Sequence, residues 1–149
     1  MAVDSDVQLR ILGLDDAPEA ARLSGQLGYP ASDAAMRARL ARVLASPAHV
    51  AFGAAREGKL LGWVAGETGF SLSWDPLAEI TGLVVDSAAR RSGVGRLLVA
   101  AMERWALGLG HHRVTVRSNV ARTESHTFYL GLGFRRDKTQ HAYGKDVAE

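Results

Sequence analysis

The sequence predicts a single mixed α/β domain, on three observations. Short apolar runs with strand-like alternation are interleaved with longer stretches of helical period. Gly, Pro, Ser and Asp punctuate these segments without forming a linker, a repeat or a low-complexity tract. A chain of 149 residues with 47% hydrophobic content is sufficient for one packed core.

In chain order, Val7, Leu9 and Ile11 alternate with polar neighbours and predict a strand. "LDDAPEAARLSGQLG" opens on acids that suit a helix N-terminus and closes at Gly28, which predicts a helix. A second helix is predicted in "SDAAMRARLARVLAS", with Ser32 as its cap and Met36, Leu40, Val43 and Leu44 on one face. Pro47 marks its exit. The next segment reads as a hairpin, with strands His49–Arg56 and Leu60–Glu67 around a turn at Glu57-Gly58-Lys59. "TGFSLSWDP" is a loop exposing Phe70 and Trp74. A buried strand in "LAEITGLVVD", a long helix over Gly93–Gly110 and a strand in "HRVTVRS" come next. "ARTESHTFYLGLGF" then predicts a helix ended by glycine, and the tail "FRRDKTQHAYGKDV" can form two short final strands.

Composition narrows the function. No apolar run is long enough to span a bilayer, and "MAVDSDVQLR" is too acidic for a signal or transit sequence. With no cysteine there is no disulfide framework, thiolate metal site or cysteine nucleophile. A soluble, cytoplasmic protein is expected. The net charge of +2 is unevenly spread, −4 over residues 1–86 and +6 over residues 87–149. A basic half suits a phosphate-bearing ligand or nucleic acid, and an acidic half suits a cationic substrate or is ordinary surface.

The junction "VVDSAARRSGVGRLLVAAMERWA" is the most informative stretch. A helix N-terminus offers unpaired N–H groups and the positive end of the macrodipole, and glycine lets an oxyanion approach them. Arg90, Arg91 and Arg96 add charge around the same point. A P-loop is excluded because no Lys-Ser or Lys-Thr follows a glycine pair. A dinucleotide fingerprint fits poorly, since Leu98 stands where a third small residue belongs. Arg90-Arg91-Ser92-Gly93-Val94-Gly95 does satisfy a third pattern, Arg/Gln-x-x-Gly-x-Gly/Ala. Taken alone, it also fits a tight strand-to-helix turn.

The strand "AEITGLVV" before this motif and "SNVARTESHTFYLGLGF" after the next strand together resemble the GCN5-related N-acetyltransferase (GNAT) family. The resemblance covers about Leu60 to Phe134 and extends weakly to the N-terminal strand and helices. It implies one acetyltransferase domain over 1–149, with a central mixed, mostly antiparallel twisted sheet flanked by about four helices and splayed between its fourth and fifth strands. It also implies acetyl-CoA as co-substrate. The amides of Arg91, Ser92, Gly93, Val94 and Gly95, with Arg90 and Arg96 alongside, would hold the CoA pyrophosphate. The strand end at Leu83, Val84 and Val85 would carry the pantetheine arm, with the Val85 amide polarising the thioester carbonyl.

By the same resemblance Asn119 contacts the pantetheine arm, although its residue type equally suits a turn or cap before a helix from Ala121. Tyr129 stands where family members protonate the departing thiolate, with helix packing as its alternative. Glu79 is either the base that takes the amine's proton or a salt-bridged, water-facing strand residue. Alternation would put it on one face with Thr81, Leu83 and Val85. His126 lies on the helical face of Tyr129 and either touches the CoA arm or packs. His111 and His112 sit at a helix end, and no metal site is expected.

The expected activity is transfer of an acetyl group from acetyl-CoA to a primary amine of a small molecule, directly within a ternary complex. The acceptor would enter beside the first two helices and the loop Phe70–Pro76, where Asp33, Glu67, Asp75 and Glu79 could attract a cation. The rival readings are a protein N-terminal or lysine acetyltransferase and a CoA-binding module without turnover. Nucleic-acid binding is disfavoured, because the arginines cluster at a junction rather than along a face with interleaved aromatics. No membrane partner is expected, and the final strands offer a route to a homodimer.

Overall fold

The computed structural model describes residues 6–148 and divides after Arg117 into two compact units. The first contains five strands, β1 (Gln8–Ile11), β2 (His49–Arg56), β3 (Lys59–Gly69), β4 (Leu77–Val85) and β5 (Val114–Val116), and three helices, α1 (Ala17–Leu27), α2 (Asp33–Leu44) and α3 (Val94–Gly108). The strands form one sheet in the order β1-β2-β3-β4-β5. Every neighbouring pair is antiparallel except β4 and β5, which are parallel.

Local chemistry sets most of these boundaries. The carboxylate of Asp16 accepts from Gly13 N–H at 2.8 Å and takes both ends of the Arg10 guanidinium at 2.7 and 2.8 Å, which fixes the entry to α1. These bonds, that to Arg10 foremost, hold the Asp16 carboxyl below its ordinary range. Pro18 sits in the first turn of α1 and Gly28 closes it in the left-handed conformation. Ser32 caps α2 by accepting from Ala35 N–H at 3.0 Å. Of the face predicted for α2, Met36 and Leu40 are buried, Val43 is half-buried and Leu44 is exposed.

β1 differs from expectation. It is an edge strand paired only with β2, Ile11 is 59% exposed, and Leu12 beyond its end enters the core instead. Leu12 joins Ala17, Ala20, Leu23, Met36, Leu40, Leu60 and Val84 in the core between α1, α2 and one face of the sheet. The opposite face meets α3. A Cβ at Gly66 would fall 2.1 Å from Met102 Cε, and one at Gly62 would approach Leu98 and Val94.

β4 pairs with β5 only at Ala78–Ile80, then continues to Val85 without a β5 partner. The sheet is therefore open past Ile80, as the sequence led one to expect.

The second unit contains α4 (Thr123–Gly131), which begins two residues later than predicted and is followed by Gly133 in the left-handed conformation at φ 92°. The two final strands are not formed, and residues 134–148 carry no regular structure. Arg135, Arg136, Asp137 and Lys138 run consecutively, and Tyr143 and Val147 are 94% and 89% exposed, so no alternating apolar face exists to drive pairing.

Candidate functional site

β4 runs into Asp86, a 3-10 turn at Ser87–Ala89, the loop Arg90–Gly93 and then α3. Two residues here adopt positive φ, Arg91 at 62° and Gly93 at 88°. Gly93 is the helix cap, and no side chain caps the helix. Only glycine adopts such a backbone without a Cβ penalty. The first helical bond runs from Leu97 N–H to Gly93 carbonyl at 3.0 Å. The N–H groups of Val94, Gly95 and Arg96 therefore have no partner within the helix. With the macrodipole behind them, they form an anion cradle.

Arg91 and Arg96 are exposed beside this cradle. Arg90 turns back, its Nε donating to the Val85 carbonyl at 3.3 Å. The Ser92 hydroxyl donates to the Ala89 carbonyl and tightens the loop.

β4 contains a bulge that sequence alternation does not reveal. Ile80 pairs with Gly66 and Gly82 pairs with the next residue of β3, Ala65, so Thr81 is an extra residue. The phase of the strand reverses there. Ile80, opposite Gly66, faces α3, whereas Gly82 lies against the Trp63 ring and Val84 joins the α1/α2 core. The expectation that Glu79, Thr81, Leu83 and Val85 share a face is thus corrected. Glu79 lies on the α1/α2 side and Leu83 and Val85 on the α3 side, because the extra residue shifts the two-residue period by one.

The backbone changes direction with the side chains. Ala78 N–H donates to Arg113 carbonyl, toward β5, at 3.1 Å, while Asp86 N–H donates to Leu61 carbonyl, toward β3, at 2.8 Å. Since successive N–H groups alternate across a strand, those of Leu83 and Val85 point away from β3 into the opening. Without the bulge they would be spent on β3.

Glu79 forms an ion pair with Arg117, Nε to Oε1 at 3.4 Å, and its side chain is 23% exposed. It lies directly opposite Glu67, which in turn lies opposite His49. His49 Nε2 meets Glu67 Oε2 at 3.1 Å and its Nδ1 meets Ser46 Oγ at 2.7 Å. This polar row was missed in the sequence because it depends on strand register. His111 Nε2 meets Thr68 Oγ1 at 2.5 Å, a polar role at a helix end.

Asp86, read from the sequence only as a strand end, is 4% exposed. It accepts from Ala88 N–H at 3.1 Å, Arg22 at 3.0 Å and Gln26 at 3.4 Å. The Ala88 bond foremost, with Arg22 and Gln26, outweighs burial and holds its carboxyl below the ordinary range. A cleft of about 600 Å³ adjoins it, with Arg56, Lys59 and Ser92 on its walls.

In the second unit, Asn119 Oδ1 accepts from Ala121 N–H at 2.9 Å, and the Asn119 carbonyl meets His126 Nε2 at 2.8 Å. Asn119 thus builds the turn before α4, and His126 holds that turn to the helix. The Tyr129 ring is edge-on to Phe128 and Phe134, with centroids 5.2 and 5.5 Å apart. Burial raises its phenol above the ordinary tyrosine range. Among the described residues no cluster of three or more acids and histidines could hold a metal, and no helix is long and apolar enough to cross a membrane.

The family profile described as acetyltransferase (GNAT) family matches residues 17–134. No sequence among curated proteins matches. Among solved structures, an aminoglycoside 6'-N-acetyltransferase from Acinetobacter haemolyticus is 18% identical with a TM-score of 0.82, over 95% of this chain and 99% of that one. The aminoglycoside N-acetyltransferase AAC(6')-Iy, in complex with a bisubstrate analogue of CoA and acetylneamine, is 22% identical with a TM-score of 0.84, over 96% and 100%. A transcriptional regulator from Bacillus halodurans is 18% identical with a TM-score of 0.82, over 93% and 99%. At these identities the likeness is one of fold, and that fold carries more than one described role.

Proposed function

Because the chain belongs to the GNAT family of acetyltransferases, we propose that it moves an acetyl group from acetyl-CoA to a primary amine of a small molecule. The observation that carries this reading is the junction of an open strand edge with an uncapped helix N-terminus. The amides of Val94, Gly95 and Arg96, flanked by Arg91, suit a diphosphate. The edge of β4 from Leu83 to Val85 suits the pantetheine arm, which would add to it as a strand does. An amide there would also stabilise the oxyanion that forms as the thioester is attacked.

The remaining steps are assigned to side chains. The amine must be neutral to attack, and Glu79 receives its proton, directly or through water. Attack forms the new C–N bond, the C–S bond breaks, and Tyr129 gives its proton to the leaving thiolate. A phenol is protonated at neutral pH, so Tyr129 has a proton to give. Asn119 and His126, which shape the turn before α4, are assigned to binding the CoA arm. The family match runs through the division at Arg117, and we assign both units to one functional domain. The small-molecule acceptor is supported by the acetylneamine analogue bound by AAC(6')-Iy and by the acids Glu67 and Glu79, which suit a cationic amine.

The test is thiol release from acetyl-CoA across aminoglycosides, polyamines, amino acids and short peptides, beside calorimetric titration with CoA. Turnover confined to one small-molecule amine class is expected. Turnover of peptides alone would replace the acceptor, and failure to bind CoA would overturn the assignment.

A further inference from the structure

Three residues on one face of α1 are stapled to the segment that feeds the anion cradle. Arg22 donates to Glu19 at 2.7 and 3.2 Å, to the buried Asp86 at 3.0 Å and to the Leu60 carbonyl at 3.2 Å. Gln26 reaches the same carboxylate through Nε2, and its Oε1 accepts from Ser87 N–H at 2.9 Å. Glu19 closes the circuit by accepting from Leu60 N–H at 3.3 Å. α1, the start of β3 and the end of β4 therefore share one hydrogen-bonded knot. It lies only five residues before Arg91, in the loop that reaches the cradle.

None of these side chains belongs to the cradle. A buried carboxylate with three donors and a guanidinium serving three acceptors is more than a core requires, since apolar packing there would be cheaper. What the knot supplies is direction. It fixes where β4 ends, hence how the loop Arg90–Gly93 leaves it and where the free amides of α3 point. Arg is suited to this task because its rigid planar fork makes four bonds, to Glu19, Asp86 and Leu60, whereas an ammonium has three donors on a flexible stem.

We propose that Arg22 is a positioning residue for the diphosphate end of the donor, acting through Asp86 on the loop that carries the cradle. The inference rests on the acetyl-CoA reading above. It predicts an effect that depends on whether the donor has a diphosphate, which a merely stabilising role would not produce.

The experiment compares wild type with Arg22→Met and Arg22→Lys, using acetyl-CoA and S-acetylpantetheine, which lacks the diphosphate, as donors. CoA is titrated calorimetrically alongside. Arg22→Met is expected to weaken CoA binding about tenfold and raise KM for acetyl-CoA to match, the scale of losing preorganisation rather than a direct contact. Its kcat at saturating donor and its kcat/KM for S-acetylpantetheine should stay within about twofold of wild type. Arg22→Lys should recover part of the affinity. Equal losses with both donors, or CoA binding within twofold of wild type in a folded Arg22→Met, would overturn the inference while leaving the acetyltransferase reading intact. If Arg22→Met does not fold, Arg22→Lys decides by the same comparison. A wild type that does not bind CoA overturns both.

Discussion

Replacing Asp86 by Asn keeps its shape and removes its charge, and the structure sets the cost. The carboxylate is 4% exposed and accepts from Ala88 N–H, Arg22 and Gln26. An asparagine offers one acceptor oxygen, and its amide becomes a donor facing donors. A hydrogen bond to a charged group contributes about 1.5–3 kcal/mol, and breaking a buried ion pair costs about 3–5 kcal/mol. Arg22 keeps Glu19 and has a side chain 36% exposed, so its charge is not stranded and the low end applies. The loss should be about 3 kcal/mol, seen as a melting temperature lower by about 6–12 °C and a reduced urea midpoint at unchanged slope. The pH dependence has a definite sign. The folded carboxyl lies below its unfolded value of about 3.9, so its contribution is complete above about pH 5 and disappears as pH falls through the folded value. The gap between wild type and Asp86→Asn should therefore narrow below pH 4. A gap under about 1 kcal/mol at pH 7, or one that does not close in acid, would refute the reasoning.

Four further outcomes are expected. Gly93→Ala should weaken CoA binding several-fold in calorimetry, because an L-residue at φ 88° costs about 1–2 kcal/mol and the helix start shifts to relieve it. Gly28→Ala, equally strained at φ 97° but at the end of α1, should leave CoA affinity within twofold. Tyr129→Phe keeps the ring contacts with Phe128 and Phe134, so it should lower kcat about 10²-fold in thiol-release assays without changing CoA affinity. Ser32→Ala removes the cap on α2 and should cost about 1 kcal/mol, a melting shift of about 2–4 °C by calorimetry, with no effect on CoA binding.

What the sequence made legible was local. The bounds of β2, the Ser32 cap, the glycine closing α1 and the start of α3 each follow from neighbours a few residues away. The exposure of Phe70 and Trp74 followed from the turn-rich loop around them, and they are 79% and 47% exposed. What escaped depends on partners distant in the chain. The Arg22–Asp86 contact joins residues 64 apart, and nothing around Asp86 marks it as buried. The row Ser46, His49, Glu67 and Glu79 exists only once three strands are in register. Thr81 is an ordinary strand residue, and only its failure to find a place opposite Gly66 or Ala65 makes it a bulge. The tail was misread because aromatic and valine residues suggested strands, while its consecutive charges gave no face to bury.

Thr81 also separates two kinds of sequence constraint. It is exposed, so its side chain has little to satisfy and many residues would serve. Its presence in the count is another matter. Deleting it would restore an unbroken alternation, turn the Leu83 and Val85 amides back into the sheet, and swing one half of β4 onto the wrong layer. The position is free in identity and fixed in existence. A substitution scan would pass over it as neutral, while a single-codon deletion would take the Leu83 and Val85 amides out of the opening between β4 and β5.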